Sequence, residues 1–212
     1  GAIRGSDLAW GDRDFAVVGK GEIDVPAGSI LQCIASYADE AHHVQWRADP
    51  TTFLNPRAAI LSLVDPSNSV MQAGLRPDVP PRGKAADDFE VAIAWLLWAL
   101  GFSVASFGTH SKMRETFDAV ATTPRGDFLV VECTVGLLRA EGKLSKLAAR
   151  TVTVRDALAS SNMKHLRVLP IIVTAMTCEQ VEADAGPAAD LGVLVITQED
   201  LDEIQNELIR FP

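Results

Sequence analysis

The sequence predicts an α/β sandwich with a mixed sheet, preceded by a small β-rich module. From residue 84 onward, long apolar segments with helical periodicity alternate with short β-branched runs that are typical of buried strands. Before residue 80, short strand-like runs are separated by glycine and proline turns. Hydrophobic residues make up 48% of the 212 residues, which is enough for a packed core.

The first 80 residues are interpreted as the β-rich module and a linker. The predicted strands are Phe15–Val18, Ser29–Ala35 and His43–Trp46. A short helix is predicted from Pro56 to about Val64, with Asn55 as its N-cap and the proline at its first position. Residues 74–83 contain three prolines and are predicted to be a linker. The domain boundary is therefore placed at residue 80, and a second domain is expected over residues 81–212.

The second domain is predicted to have the element order αβββαβαβα. Its elements are a helix at 84–100, a strand at 102–107, a hairpin around residues 118–132, a helix at 140–159, a strand at 166–174, a helix at 178–189, a strand at 192–197 and a helix at 198–209. Thr197 is the expected N-cap of the last helix, and Pro170 predicts an edge or a bulge in its strand. Helices that alternate with buried strands indicate helices packed on a mixed sheet.

The charge and the cysteine content of the chain indicate its cellular setting more than its function. The net charge is −9, but residues 176–212 contain nine acids and one base, so that tail carries −8 and the rest of the chain only −1. The charge balance therefore does not exclude a nucleic-acid partner. Three cysteines without CxxC spacing favour a reducing, cytoplasmic setting. The longest apolar stretch, residues 91–102, is too short to span a bilayer, and no secretory signal is visible, so no membrane association is expected.

Two acidic residues are expected to face each other across the predicted hairpin. Asp118 and Glu132 each lie in an apolar, β-branched run, and the turn signal Pro124-Arg125-Gly126 separates the runs. If the hairpin is centred on Arg125, residues whose numbers sum to 250 pair, and Asp118 faces Glu132. Directly opposed like charges destabilise a sheet. A divalent cation between them removes that cost, and carboxylate oxygens suit Mg²⁺, with Mn²⁺ as a substitute.

At these residues the chain resembles the PD-(D/E)XK superfamily of restriction endonuclease-like nucleases. The resemblance covers residues 84–208 and rests on the core order αβββαβ together with a helical glutamate (Glu90), a strand aspartate (Asp118) and Glu132-Cys133-Thr134 in place of the Glu-x-Lys element. It implies a metal-dependent hydrolase of phosphodiester bonds. Asp118, Glu132 and the backbone carbonyl of Cys133 would be metal ligands, and Glu90 would assist. The expected partner is nucleic acid, DNA in the first instance, and dimeric relatives suggest a homodimer.

One position departs from the family pattern. Thr134 stands where the family places a lysine that activates the attacking water. Some branches supply this cation from the following helix, where Arg139, Lys143, Lys146 and Arg150 are spaced to share one face. Lys143 and Lys146 are both candidates for the activating cation, and the sequence does not rank them. Arg139 and Arg150 are expected to contact substrate phosphates.

Two alternatives stay open at this stage. The domain could keep a nuclease fold without catalysis and serve as a binding or assembly module, which the threonine at position 134 and the acidic tail favour. It could also be an unrelated α/β interaction domain in which the two carboxylates are incidental. The N-terminal module, with Trp10 and Trp46, is a candidate for substrate or partner recognition.

Overall fold

The chain divides into two units, Gly1–Phe53 and Leu54–Pro212. A computed structural model describes residues 2–13, 16–37, 40–49, 52–53, 55–78, 84–108, 116–123, 126–138 and 142–208. No helix in these ranges is long and apolar enough to cross a membrane.

Two antiparallel hairpins form the described part of the first unit. Strand β1 (Ala9–Arg13) pairs with β2 (Ala16–Lys20), and β3 (Ile30–Tyr37) pairs with β4 (Glu40–Ala48). Strands β2, β3 and β4 confirm the three predicted strands, although Phe15 lies outside the described residues. Strand β1 was not predicted, because a glycine and two charged residues interrupt its apolar pattern. Among the first 53 residues, none of those whose exposure the structure describes is buried, and Trp46 is 62% exposed.

The second unit contains six α-helices and five strands among its described residues. They are α1 (Pro56–Val64), α2 (Ser69–Leu75), α3 (Ala85–Ala99), β5 (Ser103–Ser106), β6 (Ala119–Thr122), β7 (Phe128–Thr134), α4 (Lys143–Ser160), β8 (Val168–Thr174), α5 (Cys178–Asp190), β9 (Leu194–Ile196) and α6 (Gln198–Glu207). From α3 onward this is the predicted order αβββαβαβα. A capping box at Thr197 confirms the predicted start of the last helix.

The five strands form one mixed sheet in the order β5-β6-β7-β8-β9. The first three strands are antiparallel neighbours, whereas β7, β8 and β9 run parallel to one another. The predicted α/β architecture with a mixed sheet is therefore confirmed. Strand β8 is interior, so the expectation of an edge strand at Pro170 was wrong. Pro170 is compatible with this position because β8 pairs with β9 only from Ile171 onward.

Each face of the sheet is covered by its own layer of helices. Val131 and Cys133 of β7 pack with Phe89 and Ile93 of α3 in one buried cluster. Alternate residues of the same strand face the other way, and Val130 packs with side chains of α4 and α5. The strand at the centre of the sheet thus presents successive residues to α3 and to α4. This alternation determines what surrounds Glu132 and Cys133.

The boundary between the units lies at residues 53/54 and not at residue 80, because α1 and α2 belong to the second unit. Leu61 of α1 and Met71 of α2 are buried in the same cluster as Phe89. Gly74, predicted to begin a linker, is the penultimate residue of α2 and lies in close contact with α3. A Cβ added to it would lie 2.8 Å from the Cβ of Ala92. The glycine is required because the two helices approach closely.

Asn55 joins the start of α1 to two other helix ends. Its side-chain oxygen accepts hydrogen bonds from the backbone N–H groups of Arg57 and Ala58, which confirms the predicted N-cap. Its amide nitrogen donates to the carbonyl oxygens of Ala99, at 2.9 Å, and Leu208, at 3.0 Å. Asn55 is only 3% exposed, so these partners cannot be replaced by bulk water.

We expect Asn55→Ala to lower the free energy of unfolding by about 2–4 kcal/mol, because it removes a helix cap and leaves two buried carbonyls without their donor. Denaturant unfolding followed by helical circular dichroism measures this change. The matched variant Asn55→Ser keeps a capping oxygen but has no amide to donate. It should recover no more than about 1 kcal/mol. Full recovery by serine would show that the bonds to Ala99 and Leu208 contribute little.

Candidate functional site

Asp118 is held at the junction of three strands. Its backbone carbonyl accepts hydrogen bonds from the N–H groups of Phe107, at 2.7 Å, and Gly108, at 3.1 Å, just after the end of β5. Its carboxylate Oδ2 accepts a hydrogen bond of 2.6 Å from the backbone N–H of Cys133 in β7. The aspartate is therefore fixed both through its backbone and through its side chain.

The predicted hairpin register is confirmed for the four paired residues of β6. Ala119 faces Val131, and the pairing continues to Thr122 opposite Phe128, so the numbers of paired residues sum to 250. Asp118 and Glu132 lie immediately beyond the last paired residues, so the predicted direct pairing of Asp118 with Glu132 is not among the observed pairs. There the ladder ends, because the N–H of Asp118 donates to the carbonyl of Val131.

Glu132 is buried, with 8% of its surface exposed, and lies between two cations of α4. Its Oε2 accepts a hydrogen bond of 2.9 Å from Nη1 of Arg150, and its Oε1 lies 3.9 Å from Nζ of Lys143. Burial, followed by the charge of Asp118, raises the pKa of Glu132 to about 7 despite these cations. Burial and the neighbouring carboxylate thus outweigh the effect of the two cations on the pKa of Glu132.

Glu90 on α3 adds a third carboxylate. Glu90, Asp118 and Cys133 line a cavity of about 50 Å³. Burial, followed by the charge of Asp118, raises the pKa of Glu90 to about 7. Burial also raises the pKa of Asp118, against the opposing effect of the hydrogen bond from Cys133. The charges of Asp118 and Glu132 both raise the pKa of Glu90, so the three carboxylates that the sequence pattern singled out are electrostatically coupled.

Of the two candidate lysines, Lys143 is the one that contacts the site. It is the first residue of α4, and its Nζ donates a hydrogen bond of 3.0 Å to the carbonyl oxygen of Cys133. Lys146 acts only through its charge, which lowers the pKa of Glu132 more weakly than the charge of Lys143 or Arg150 does. The side chain of Thr134 is engaged elsewhere, since its hydroxyl is hydrogen-bonded to Gly136.

The predictions for the two arginines, Arg139 and Arg150, have different outcomes. Arg150 was predicted to contact substrate phosphates, but its guanidinium is paired with Glu132 and its side chain is 21% exposed. A phosphate contact by Arg150 stays a prediction, and its structural role in orienting Glu132 was not foreseen. Arg139 lies outside the described residues.

Cys133 contributes to the site through its backbone. Its thiol is buried on the α3 side of the sheet, as the alternation of strand side chains predicts, and burial raises its pKa well above the usual range. Its N–H donates to Asp118 and its carbonyl accepts from Lys143. The backbone of Cys133 is therefore bonded to a proposed metal ligand, Asp118, and to the candidate activating lysine, Lys143.

Gly108 is a site residue that sequence reasoning missed. A Cβ added to it would lie 2.8 Å from Oδ1 of Asp118 and still closer to Oε2 of Glu90. These two carboxylates can occupy their positions only because residue 108 has no side chain. The requirement is spatial, and no local turn motif in the sequence signals it.

The donor atoms fit a hard divalent cation. Carboxylate oxygens from Asp118 and Glu132 and the carbonyl of Cys133 are the ligand types that Mg²⁺ and Mn²⁺ prefer. Within the described ranges, no three His, Cys, Asp or Glu side chains are grouped closely enough to hold a metal ion. A metal here would therefore need the backbone carbonyl, water or substrate to complete its coordination, as is usual for Mg²⁺.

The chain was also compared with known proteins. No family model, no curated protein and no solved structure matches it. The site must therefore be interpreted from its own geometry.

Proposed function

We propose that the second unit is a metal-dependent nuclease domain of the restriction endonuclease-like, PD-(D/E)XK type. The observation that supports this most directly is the position of Lys143. The family pattern requires a cation next to the strand glutamate, and Thr134 cannot supply it. Lys143 supplies one from the next helix, 3.9 Å from Oε1 of Glu132 and 3.0 Å from the carbonyl oxygen of Cys133.

The surrounding architecture supports the same proposal. The strand order, the antiparallel β5-β6-β7 group and the parallel strand after α4 agree with the αβββαβ core that the resemblance implies. Glu90 lies on the first core helix and Glu132 on β7, as the resemblance implies, whereas Asp118 lies immediately before β6 and not within a strand. Because a fold can host many functions, this agreement adds to the argument from the site but does not replace it.

In the proposed reaction Asp118, Glu132 and the carbonyl of Cys133 would hold the metal ion, Mg²⁺ or Mn²⁺. Such an ion, when bound, polarises the scissile phosphate and lowers the pKa of a bound water. The N–H of Cys133 orients the carboxylate of Asp118, and Arg150 orients that of Glu132. The ammonium of Lys143 stabilises the negative charge that develops on the phosphate.

Substrate recognition is assigned in part to the first unit. Its described strands expose Trp10 at 58% and Trp46 at 62%, and aromatic side chains of this kind can stack on bases. DNA remains the first substrate to test. The homodimer and the cytoplasmic location stay predictions from the sequence.

A catalytically inactive binding module is the second candidate, and the pair between Arg150 and Glu132 favours it. A carboxylate that already has a guanidinium partner at 2.9 Å is partly compensated without any metal. The two candidates make different predictions for the activity of the wild-type chain and for its lysine variants.

We expect the wild-type chain to cleave DNA in the presence of Mg²⁺ or Mn²⁺. Lys143→Ala should lower the cleavage rate by about 10²–10³-fold, because the substitution removes a charge that stabilises the transition state. Cleavage of plasmid and single-stranded DNA, followed on gels, measures this. Lys146→Ala is the matched control and should stay within about threefold of wild type, because Lys146 acts on Glu132 only at a distance. Full activity in a variant that carries both Lys143→Ala and Lys146→Ala would refute the assignment of Lys143 as the activating cation. A wild-type chain inactive on DNA and RNA would favour the binding module.

A further inference from the structure

The ammonium of Lys143 contacts the same oxygens that the proposed metal would use. Its Nζ donates to the carbonyl oxygen of Cys133 at 3.0 Å and lies 3.9 Å from Oε1 of Glu132. Arg150 contacts the other carboxylate oxygen of Glu132, Oε2. Oε1 of Glu132 and the carbonyl oxygen of Cys133 are therefore both close to the ammonium of Lys143.

A divalent cation and this ammonium cannot share these oxygens favourably. Mg²⁺ binds its oxygen ligands at about 2.0–2.1 Å, so an ion on the Cys133 carbonyl would be within a few ångströms of Nζ. Two cations at that distance in a partly buried site repel strongly. The lysine has a flexible stem and is 24% exposed, so its ammonium has room to leave.

We propose that Lys143 is an internal substitute for the metal, which holds the ligand oxygens in place when no metal is bound and is displaced when the metal binds. The proposal rests on the proposed function, because it takes the metal site from it. Displacement frees the ammonium from the Cys133 carbonyl, and the same group then becomes available to the substrate phosphate. Metal loading and release of the activating cation thus become one event.

The inference predicts how single lysines change metal affinity. Calorimetric titration of the full chain with MnCl₂ should show at least about tenfold tighter binding by Lys143→Met than by wild type, because the competing cation is gone. Lys143→Arg keeps a positive charge and should stay within about threefold of wild type. Lys146→Met removes one positive charge from the same helix without touching the ligand oxygens, and it should tighten binding by no more than about threefold.

A second measurement covers the case in which Lys143→Met is too unstable for titration. Lys143→Gln keeps a polar side chain of similar length, and its thermal midpoint should rise more on addition of MnCl₂ than that of wild type. In Lys143→Met and Lys143→Gln the metal would supply the positive charge that the ammonium of Lys143 supplies in wild type, so metal binding should stabilise these variants more.

The outcomes separate the two proposals. If wild type binds Mn²⁺ and both Lys143→Met and Lys143→Gln bind it no more tightly, the competition is refuted while the metal site stands. If Lys146→Met tightens binding as much as Lys143→Met, general electrostatics explain the effect and the substitute role is also refuted. If neither wild type nor any variant binds Mn²⁺ at millimolar concentration, the metal site itself fails and the proposed nuclease function fails with it.

Discussion

Asp118→Asn is expected to abolish Mn²⁺ binding and to reduce metal-dependent cleavage by a factor on the order of 10³ or more. The change removes one negative charge and keeps the size of the side chain. The asparagine oxygen can still accept the hydrogen bond that Cys133 donates to Oδ2, so the local backbone should be preserved. What disappears is the charge that a metal would neutralise. Calorimetry with MnCl₂ and a cleavage assay measure the two effects on the same preparation.

The same substitution at Asp127 provides the control. Asp127 belongs to the same hairpin, but it precedes β7, whereas Glu132 lies near the end of that strand, and its carboxylate pairs with Arg167 at 2.5 Å. Asp127→Asn should leave Mn²⁺ affinity and cleavage within about twofold of wild type. If Asp118→Asn binds Mn²⁺ as tightly as wild type does, the assignment of Asp118 as a ligand is incorrect.

The hairpin is the part of the site that the sequence predicts best. A turn signal between two β-branched runs defines the centre of the hairpin, and the strand period of two then determines which residues face each other. The observed pairing of Ala119 with Val131 agrees with this rule. The same local patterns predict the order of helices and strands from residue 85 onward. These predictions succeed because they depend on residues close together in the sequence.

Features that depend on distant contacts were not predictable in this way. The linker was predicted to begin at Gly74, because a glycine signals a break locally, whereas Gly74 lies within α2 and allows close contact with Ala92 of α3. Asn55 was predicted as a cap, but its bonds to Ala99 and Leu208 span 44 and 153 residues. The unit boundary was misplaced for the same reason.

The sequence did not rank Lys143 and Lys146, because the ranking depends on where α4 begins and sequence patterns locate helix starts poorly. Lys143 and Lys146 are close enough along the helix that either could reach Glu132 if α4 began elsewhere. In the structure Gly142 has a positive φ of 68° and α4 begins at Lys143. The side chain of the first helical residue then lies beside the end of β7. A difference of one turn in the helix start would have favoured the other lysine.

Gly108→Ala is expected to reduce cleavage by about 10²-fold and to weaken Mn²⁺ binding, while the fold is retained. The added methyl group would lie 2.8 Å from Oδ1 of Asp118 and closer still to Oε2 of Glu90, so at least one carboxylate must move. A displacement of about 1 Å in a catalytic arrangement costs roughly this much in rate. The positions of these oxygens matter to a metal site and would matter little to a surface without function.

Gly136→Ala is the matched control for this substitution. Gly136 lies two residues after the end of β7, as Gly108 lies two residues after the end of β5, and a Cβ added to Gly136 would meet no atom within 4 Å. Both glycines gain one methyl group, but only the one at residue 108 would push on the carboxylates. Circular dichroism should show the same helix content for both variants, and calorimetry with MnCl₂ should separate them. Equal Mn²⁺ affinity in the two variants would mean that the carboxylates of Glu90 and Asp118 do not need their observed positions to bind metal, which would remove the geometric basis for the proposed nuclease site.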